Sequence, residues 1–253
     1  MGGIELQIEK DIIETSYGKL EYSIMGSGQP TIVLINGGSG PIEGWMRILP
    51  ELSKLSTVFS FNRFGVGKSD KPKEAQDGTT IVHTLREALS SVGLKPPFLL
   101  VGHSLGGFYA NLFARLYPNE VAGVVLLEAS HSKDTTLNEY QGRFVKALNK
   151  LLSKLSPPHP HDEVHFVQKT VEQINQNHSF PEVPLFIITG GKENRMMPAE
   201  ARRKRLENQV DFLSLSKYSK HIIAERSGHF PQLTEPSVVV EAIEECLNEI
   251  HNR

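Results

Sequence analysis

A chain of 253 residues with 39% hydrophobic and 22% charged residues is ordinary for a globular enzyme domain, with room for one insertion and no linker-like stretch to divide it. Its formal net charge of -2 offers no basic surface for nucleic acid, and its aromatic residues are not interleaved with Lys/Arg stripes. The single cysteine, Cys246, excludes an internal disulfide, and no apolar run approaches membrane-spanning length.

The opening MGGIELQIEKD lacks a cationic start followed by an apolar core, and Leu6 occupies the Ser/Thr position that myristoylation at Gly2 would need. These features predict a cytoplasmic protein. Residues 11–15 and 19–25 are β-prone and joined through Tyr17-Gly18, which predicts a hairpin. Residues 31–35 form an unbroken apolar run, the mark of a buried parallel strand, and give way to Asn36-Gly37-Gly38-Ser39-Gly40. A helix is expected over 45–55, a strand over 57–61 ending in Asn62-Arg63, and a helix over 79–92 with Ile81, Leu85, Ala88, Leu89 and Val92 on one face.

The stretch 97–117, PFLLVGHSLGGFYANLFARLY, carries the chemistry. Phe98, Leu99, Leu100 and Val101 make a buried strand that breaks into Gly102-His103-Ser104-Leu105-Gly106-Gly107, and a helix-compatible run follows up to Pro118. A serine at the apex of such a strand-to-helix turn is pressed into a sparsely populated backbone conformation, and side chains two residues before and after it would clash, hence Gly102 and Gly106. The turn lifts the Ser104 hydroxyl above the sheet and places it at a helix N-terminus, where the backbone N–H of Leu105 is free to meet an oxyanion.

Residues 121–127 are a further apolar strand, terminated by Glu128-Ala129-Ser130-His131. The strand–helix alternation then lapses. Two amphipathic helices are expected in the gap, one through Phe144, Leu148, Leu151, Leu152 and Leu155, the other through Val164, Val167, Val171 and Ile174, separated by Pro157-Pro158. Residues 132–183 therefore read as a helical cap inserted into a core made of 1–131 and 184–253. Strands at 185–189 and 221–224 and helices at about 198–208 and 238–251 complete an α/β, doubly wound, mostly parallel eight-stranded sheet.

Sites in such sheets gather at the carboxyl ends of the strands. A serine nucleophile needs a base within hydrogen-bond reach and a carboxylate to orient that base. His229, in Arg226-Ser227-Gly228-His229-Phe230-Pro231 directly after the last strand, has the placement of the base. Glu128 ends an apolar buried strand, where a carboxylate is costly without a partner. His161 and His165 lie one helical turn apart, a spacing that suits metal ligands, but a helix entry capped by Asp162 explains them more simply, so neither a metal nor any other cofactor is expected.

On these residues the chain resembles the α/β-hydrolase superfamily over essentially its whole length. The resemblance rests on the elbow 102–107, the Gly37-Gly38 turn, Arg63-x-Gly65-x-Gly67-x-Ser69, and Ser227-Gly228-His229 with Glu235-Pro236 downstream. It implies that Gly38 supplies the second oxyanion donor beside Leu105. Two departures stand out: Asn36-Gly37 replaces the usual His-Gly, and the position of the triad aspartate in Gly191-Lys192-Glu193-Asn194-Arg195-Met196-Met197-Pro198 is held by Asn194. The acid is then either Glu128, as in members with a Glu-Ala turn on the sixth strand, or Glu193.

The resemblance implies a serine hydrolase acting on a small, largely apolar acyl substrate, with no nucleic-acid or membrane partner. Proline iminopeptidases, lactonases, thioesterases and C–C bond hydrolases share the architecture. So do ligand receptors and signalling proteins with a slow triad, a reading that Asn194 keeps open. An iminopeptidase needs a carboxylate for the substrate amine, and nothing in the sequence assigns that task to Asp134, Glu139, Asp162 or Glu163. Oligomeric state is not legible.

Overall fold

The computed structural model describes residues 8–134, 159–177, 179–192 and 198–253. Eight strands form one sheet: β1 (Asp11–Thr15), β2 (Gly18–Met25), β3 (Thr31–Ile35), β4 (Val58–Phe61), β5 (Phe98–His103), β6 (Val121–Leu127), β7 (Leu185–Gly190) and β8 (Ser219–Ala224). Their order is β1-β2-β4-β3-β5-β6-β7-β8. The β1–β2 and β2–β4 pairs are antiparallel and all others are parallel.

The helices are α1 (Leu49–Leu55), α2 (Gly78–Ser91), α3 (Gly106–Leu116), α4 (Val167–Gln176), α5 (Ala199–Asp211), α6 (Pro231–Thr234) and α7 (Pro236–His251), with short 3-10 turns such as Ile42–Trp45 and Glu163–His165. No described helix is long and apolar enough to cross a membrane.

Alternation along the central strands builds a core on each face of the sheet, as the period of two requires. Val33, Ile35, Leu100, Val124, Leu126, Leu185 and Ile187 point to the side covered by α2 and α3. Ile32, Leu34, Leu99, Val101, Val125, Phe186 and Ile188 point to the side covered by Trp45, α1 and α7. Cys246 is buried in this second core, and burial pushes its thiol pKa up, leaving it an inert packing group.

The helix expected over 45–55 is broken. Trp45 ends a 3-10 turn and α1 starts only at Leu49, with Pro50 in its first turn. Proline lacks the N–H that an interior helical position would donate, so it belongs where that bond is not needed. Of the two helices expected between β6 and β7, the second is present as α4, while the one through Phe144 and Leu155 lies outside the described residues.

One topological feature locates the site. From β3 the chain steps to β4 on one side, then crosses to β5 on the other. The loops leaving β3 and β5 therefore diverge over a crevice at the strand carboxyl ends, where ligands bind open α/β sheets. These loops are 36–40 and the Ser104 turn.

Candidate active site

Ser104 occupies the left-handed region, at φ 51°. Its N–H donates to Leu127 O at 3.0 Å, and its own carbonyl accepts from Gly107 N at 3.0 Å and Ser130 N at 2.9 Å, so the turn is clamped to β6. The flanking glycines are sterically required. A Cβ on Gly102 would lie 2.6 Å from Gly106 O, and one on Gly106 would lie 2.2 Å from Ile35 O.

Glu128 follows β6, also with positive φ, at 47°. It is 1% exposed. Gly190 N donates to its Oε1 at 2.6 Å. Its Oε2 faces two cations or potential cations: His229 Nδ1 at 3.3 Å and the guanidinium of Arg205 from α5.

The His229 loop is braced by its surroundings. Gly190 and Gly228 approach so closely that a Cβ on Gly190 would lie 2.2 Å from Gly228 O. Ser227 N donates to Ala224 O at 3.0 Å, and Thr234 Oγ1 to Ser227 Oγ at 2.7 Å. Glu235 accepts from Arg226 N at 2.7 Å. On the other side, His103 Nε2 donates to His229 O at 2.7 Å. Burial lowers the His103 pKa to about 4, so its ring is neutral and the nitrogen facing the carbonyl carries the proton.

The His229 imidazole thus stands between Ser104 and Glu128. Its Nε2 is 3.1 Å from Ser104 Oγ. Its pKa is also lowered to about 4, first by burial and then by the charge of Arg205. The side chain still keeps 45% of its surface exposed at the mouth. A neutral imidazole in contact with a hydroxyl, with a carboxylate at its other nitrogen, can take the hydroxyl proton as an oxygen–carbon bond forms.

The loop after β3 closes the site from the opposite side. Gly37 packs on the turn, where an added Cβ would meet His103 Nδ1 at 3.1 Å and Ser104 Cβ at 3.2 Å. Arg63, at the end of β4, donates through Nη1 to Asn36 O at 2.8 Å and through Nη2 to Gly37 O. Gly38 lies next to Leu105: a Cβ on it would be 3.5 Å from Leu105 Cδ2. Among the described residues, neither the Gly38 N–H nor the Leu105 N–H donates to a protein acceptor. The Asn36 side chain is buried, and its Nδ2 has no partner among the described residues.

The structure therefore brings together Ser104, His229, Glu128, Gly38 and Leu105. Glu193 and Asn194 lie outside the described residues, as does Glu139. Among the described residues no group of His, Cys, Asp or Glu side chains is arranged to hold a metal ion. The His159 and His161 rings lie 5.5 Å apart between centres, tilted at 48°. Asp162 caps the short 3-10 turn through Val164 N. Sequence reasoning missed both Arg205 on Glu128 and the grip of Arg63 on the 36–37 carbonyls. The run Arg202-Arg203-Lys204-Arg205 carries no periodic signal that singles out its last member.

Residues 30–170 match the model of the alpha/beta hydrolase fold family. The chain is 26% identical over 235 residues to the uncharacterized protein YqjL of Bacillus subtilis, covering 86% of this chain and 83% of YqjL. It is 28% identical over 137 residues to the human (lyso)-N-acylphosphatidylethanolamine lipase, a match spanning 50% of this chain and only 39% of the lipase. The structure of the carboxylesterase CesB from Bacillus subtilis superposes with a TM-score of 0.67 at 18% identity, covering 96% of this chain and 92% of that one. At that identity the superposition speaks for the fold alone.

Proposed function

Since the chain belongs to the α/β-hydrolase fold family, we propose that it is a serine hydrolase cleaving a small, largely apolar ester or related acyl substrate through an acyl-enzyme. The observation that carries this reading is the pair of contacts made by one imidazole: Nε2 at 3.1 Å from Ser104 Oγ and Nδ1 at 3.3 Å from Glu128 Oε2. The matched lipase supports the reaction class.

Ser104 Oγ attacks the acyl carbon while its proton passes to His229 Nε2. Glu128 holds the Nδ1 proton and stabilises the imidazolium, and Gly190 N fixes the other carboxylate oxygen. The carbonyl oxygen becomes an oxyanion between the N–H groups of Gly38 and Leu105; one such donor is typically worth about 2.7–4 kcal/mol of transition-state stabilisation. Collapse of the tetrahedral intermediate breaks the bond to the leaving alcohol, which takes the proton from His229. Water then attacks the acyl-enzyme with His229 again as base, releasing the acid and regenerating Ser104. No cofactor enters any step. The segment 132–183 serves as the cap over this crevice and supplies the acyl pocket.

A second reading, a ligand receptor with slow turnover, draws on a specific feature: Arg205 shares Glu128 Oε2 with His229. The peptidase reading loses Glu163 as the carboxylate for a substrate amine, because it is buried and fully engaged by protein donors.

Labelling with a fluorophosphonate and turnover of p-nitrophenyl butyrate test the proposal. Wild type is expected to label and turn over, Ser104→Ala to do neither, and Glu128→Gln to lose about 10⁴-fold in kcat, the usual cost of removing the triad acid. A wild-type protein that binds acyl compounds without labelling or turnover would favour the receptor instead.

A further inference from the structure

We propose that Glu163, in the described stretch 159–177 between β6 and β7, is a positioning residue that sets the oxyanion loop 36–40, so that this stretch holds the oxyanion hole in shape. This rests on the serine-hydrolase reading of Ser104.

The loop needs an external hold. Ser39 is a non-glycine residue at φ 51°, a conformation that costs on the order of 1–3 kcal/mol unless its surroundings over-determine it. Its N–H donates to Glu163 Oε1 at 2.9 Å. Arg63 holds the carbonyls of Asn36 and Gly37. The donor assigned to the oxyanion, Gly38 N–H, lies between these fixed points, with the Arg63 contacts before it and the Glu163 contact after it.

Arg63 and Glu163 in turn hold one another. Arg63 Nε donates to Glu163 Oε2 at 2.7 Å and Nη2 to Oε1 at 2.9 Å, and Tyr109 OH donates to Oε2 at 2.8 Å. The two side chains are only 6% and 7% exposed. A fork-on-carboxylate pair shut off from water is favourable only in its own geometry, which makes it a rigid strut. Burial alone would raise the Glu163 pKa, but Arg63, with Ser39 N and Tyr109, brings it below the usual value. Every accepting direction of Glu163 is used, so it is a brace for the loop and has no lone pair left for a substrate ammonium.

The carboxylate is itself delivered by a fixed arm. Gln76 N donates to His161 O at 3.0 Å, two residues before Glu163. Just after it, α4 binds the start of α2: Thr170 Oγ1 accepts from Gly78 N at 2.8 Å and Gln173 Oε1 from Thr79 N at 3.0 Å. Lys169 pairs with Asp77, the N-cap of α2. An arm nailed to the core on both sides of Glu163 leaves the carboxylate one place to be.

The test compares wild type, Ser104→Ala, Glu163→Gln and Tyr109→Phe by amide hydrogen exchange at residues 37–40, by kcat and KM for p-nitrophenyl butyrate, and by the inhibition constant of a phenylboronic acid. The boronate forms a tetrahedral adduct and reads the oxyanion hole directly. For Glu163→Gln the Ser39 amide is expected to exchange at least about tenfold faster, with kcat and boronate affinity down about 10²-fold, in the range of losing one oxyanion donor, and KM within about threefold. If circular dichroism shows that Glu163→Gln does not fold, Tyr109→Phe decides, since it removes one hydrogen bond and keeps the ion pair. About threefold faster exchange and a three- to tenfold fall in kcat are then expected.

Unchanged exchange and unchanged kcat in a folded variant overturn the proposal, as does a loss seen equally in KM. Faster exchange at Ser39 in a protein whose wild type neither labels nor turns over would keep Glu163 as the brace of the loop and reject the serine-hydrolase reading alone.

Discussion

His229 shows how much of the chemistry is set by one neighbour. Burial and the Arg205 charge lower its pKa to about 4, so it is an unprotonated base throughout the neutral range. In the free enzyme the acid limb of kcat/KM is therefore expected near pH 4. A cation beside an imidazole disfavours the imidazolium, so removing Arg205 has the opposite sign: Arg205→Met leaves Glu128 facing the ring and raises the limb, by about one pH unit or more for a charge this close. Profiles of kcat/KM from pH 4 to 8 for the two proteins read this directly. A limb that does not move, or moves down, removes Arg205 from the tuning of the base. Ser104, Glu128 and His229 could be picked out as the polar residues that end apolar strands or follow glycine loops. Arg205 could not, because its approach to Glu128 depends on how α5 lies across β7, and helix periodicity does not carry that.

At the scale of elements, strands were the most legible part of the chain. The central ones, β3, β5, β6 and β7, are built on continuous apolar runs, and their limits shift by at most two residues in the structure; β5 runs on through Gly102 to His103. Helix starts were less so, though the chemistry was present: Asp77 accepts from Thr80 N and begins α2, and Pro50 in its first turn begins α1. The contact of α4 with α2 was invisible in sequence because it joins residues 92 positions apart through a side chain. It predicts that Thr170→Val, nearly isosteric, leaves the buried Gly78 N–H without its acceptor and costs about 1 kcal/mol, or about 2–4 °C in melting temperature for a chain of this size. The Ser104 turn predicts a harsher outcome. Gly106→Ala drives a Cβ against the carbonyls of Ile35 and Asn36, two backbone atoms that cannot yield without displacing β3. Fluorophosphonate labelling should be lost together with about 1–3 kcal/mol of stability, as for other overpacked sites. Labelling at the wild-type rate would mean the turn is looser than its contacts imply.

Across the whole molecule, histidines kept neutral by burial tie stability to pH. His103, His131, His221 and His229 all have lowered pKa values, with desolvation the largest cause in each. In the unfolded chain a histidine takes up its proton near 6.5; in the folded one His103 does so only near 4. Between these values the unfolded state binds more protons, so stability is complete above pH 6.5 and falls as pH drops towards 4. For His103, which is 4% exposed, the full window is worth on the order of 3 kcal/mol, and the part between pH 6.5 and 5 about 2 kcal/mol. The more exposed His229 contributes less than its shift implies, because solvent screens it. Glu163 acts in a lower window, since its depressed pKa gives stability that is lost only below the usual carboxylate range. Thermal melting at pH 7.5 and pH 5 separates the terms. Wild type should melt lower at pH 5, and His103→Gln, which keeps a donor for His229 O but cannot titrate, should narrow the gap by about 4–8 °C whatever its own melting temperature. A gap as wide in the variant as in wild type would assign the acid sensitivity to groups other than His103.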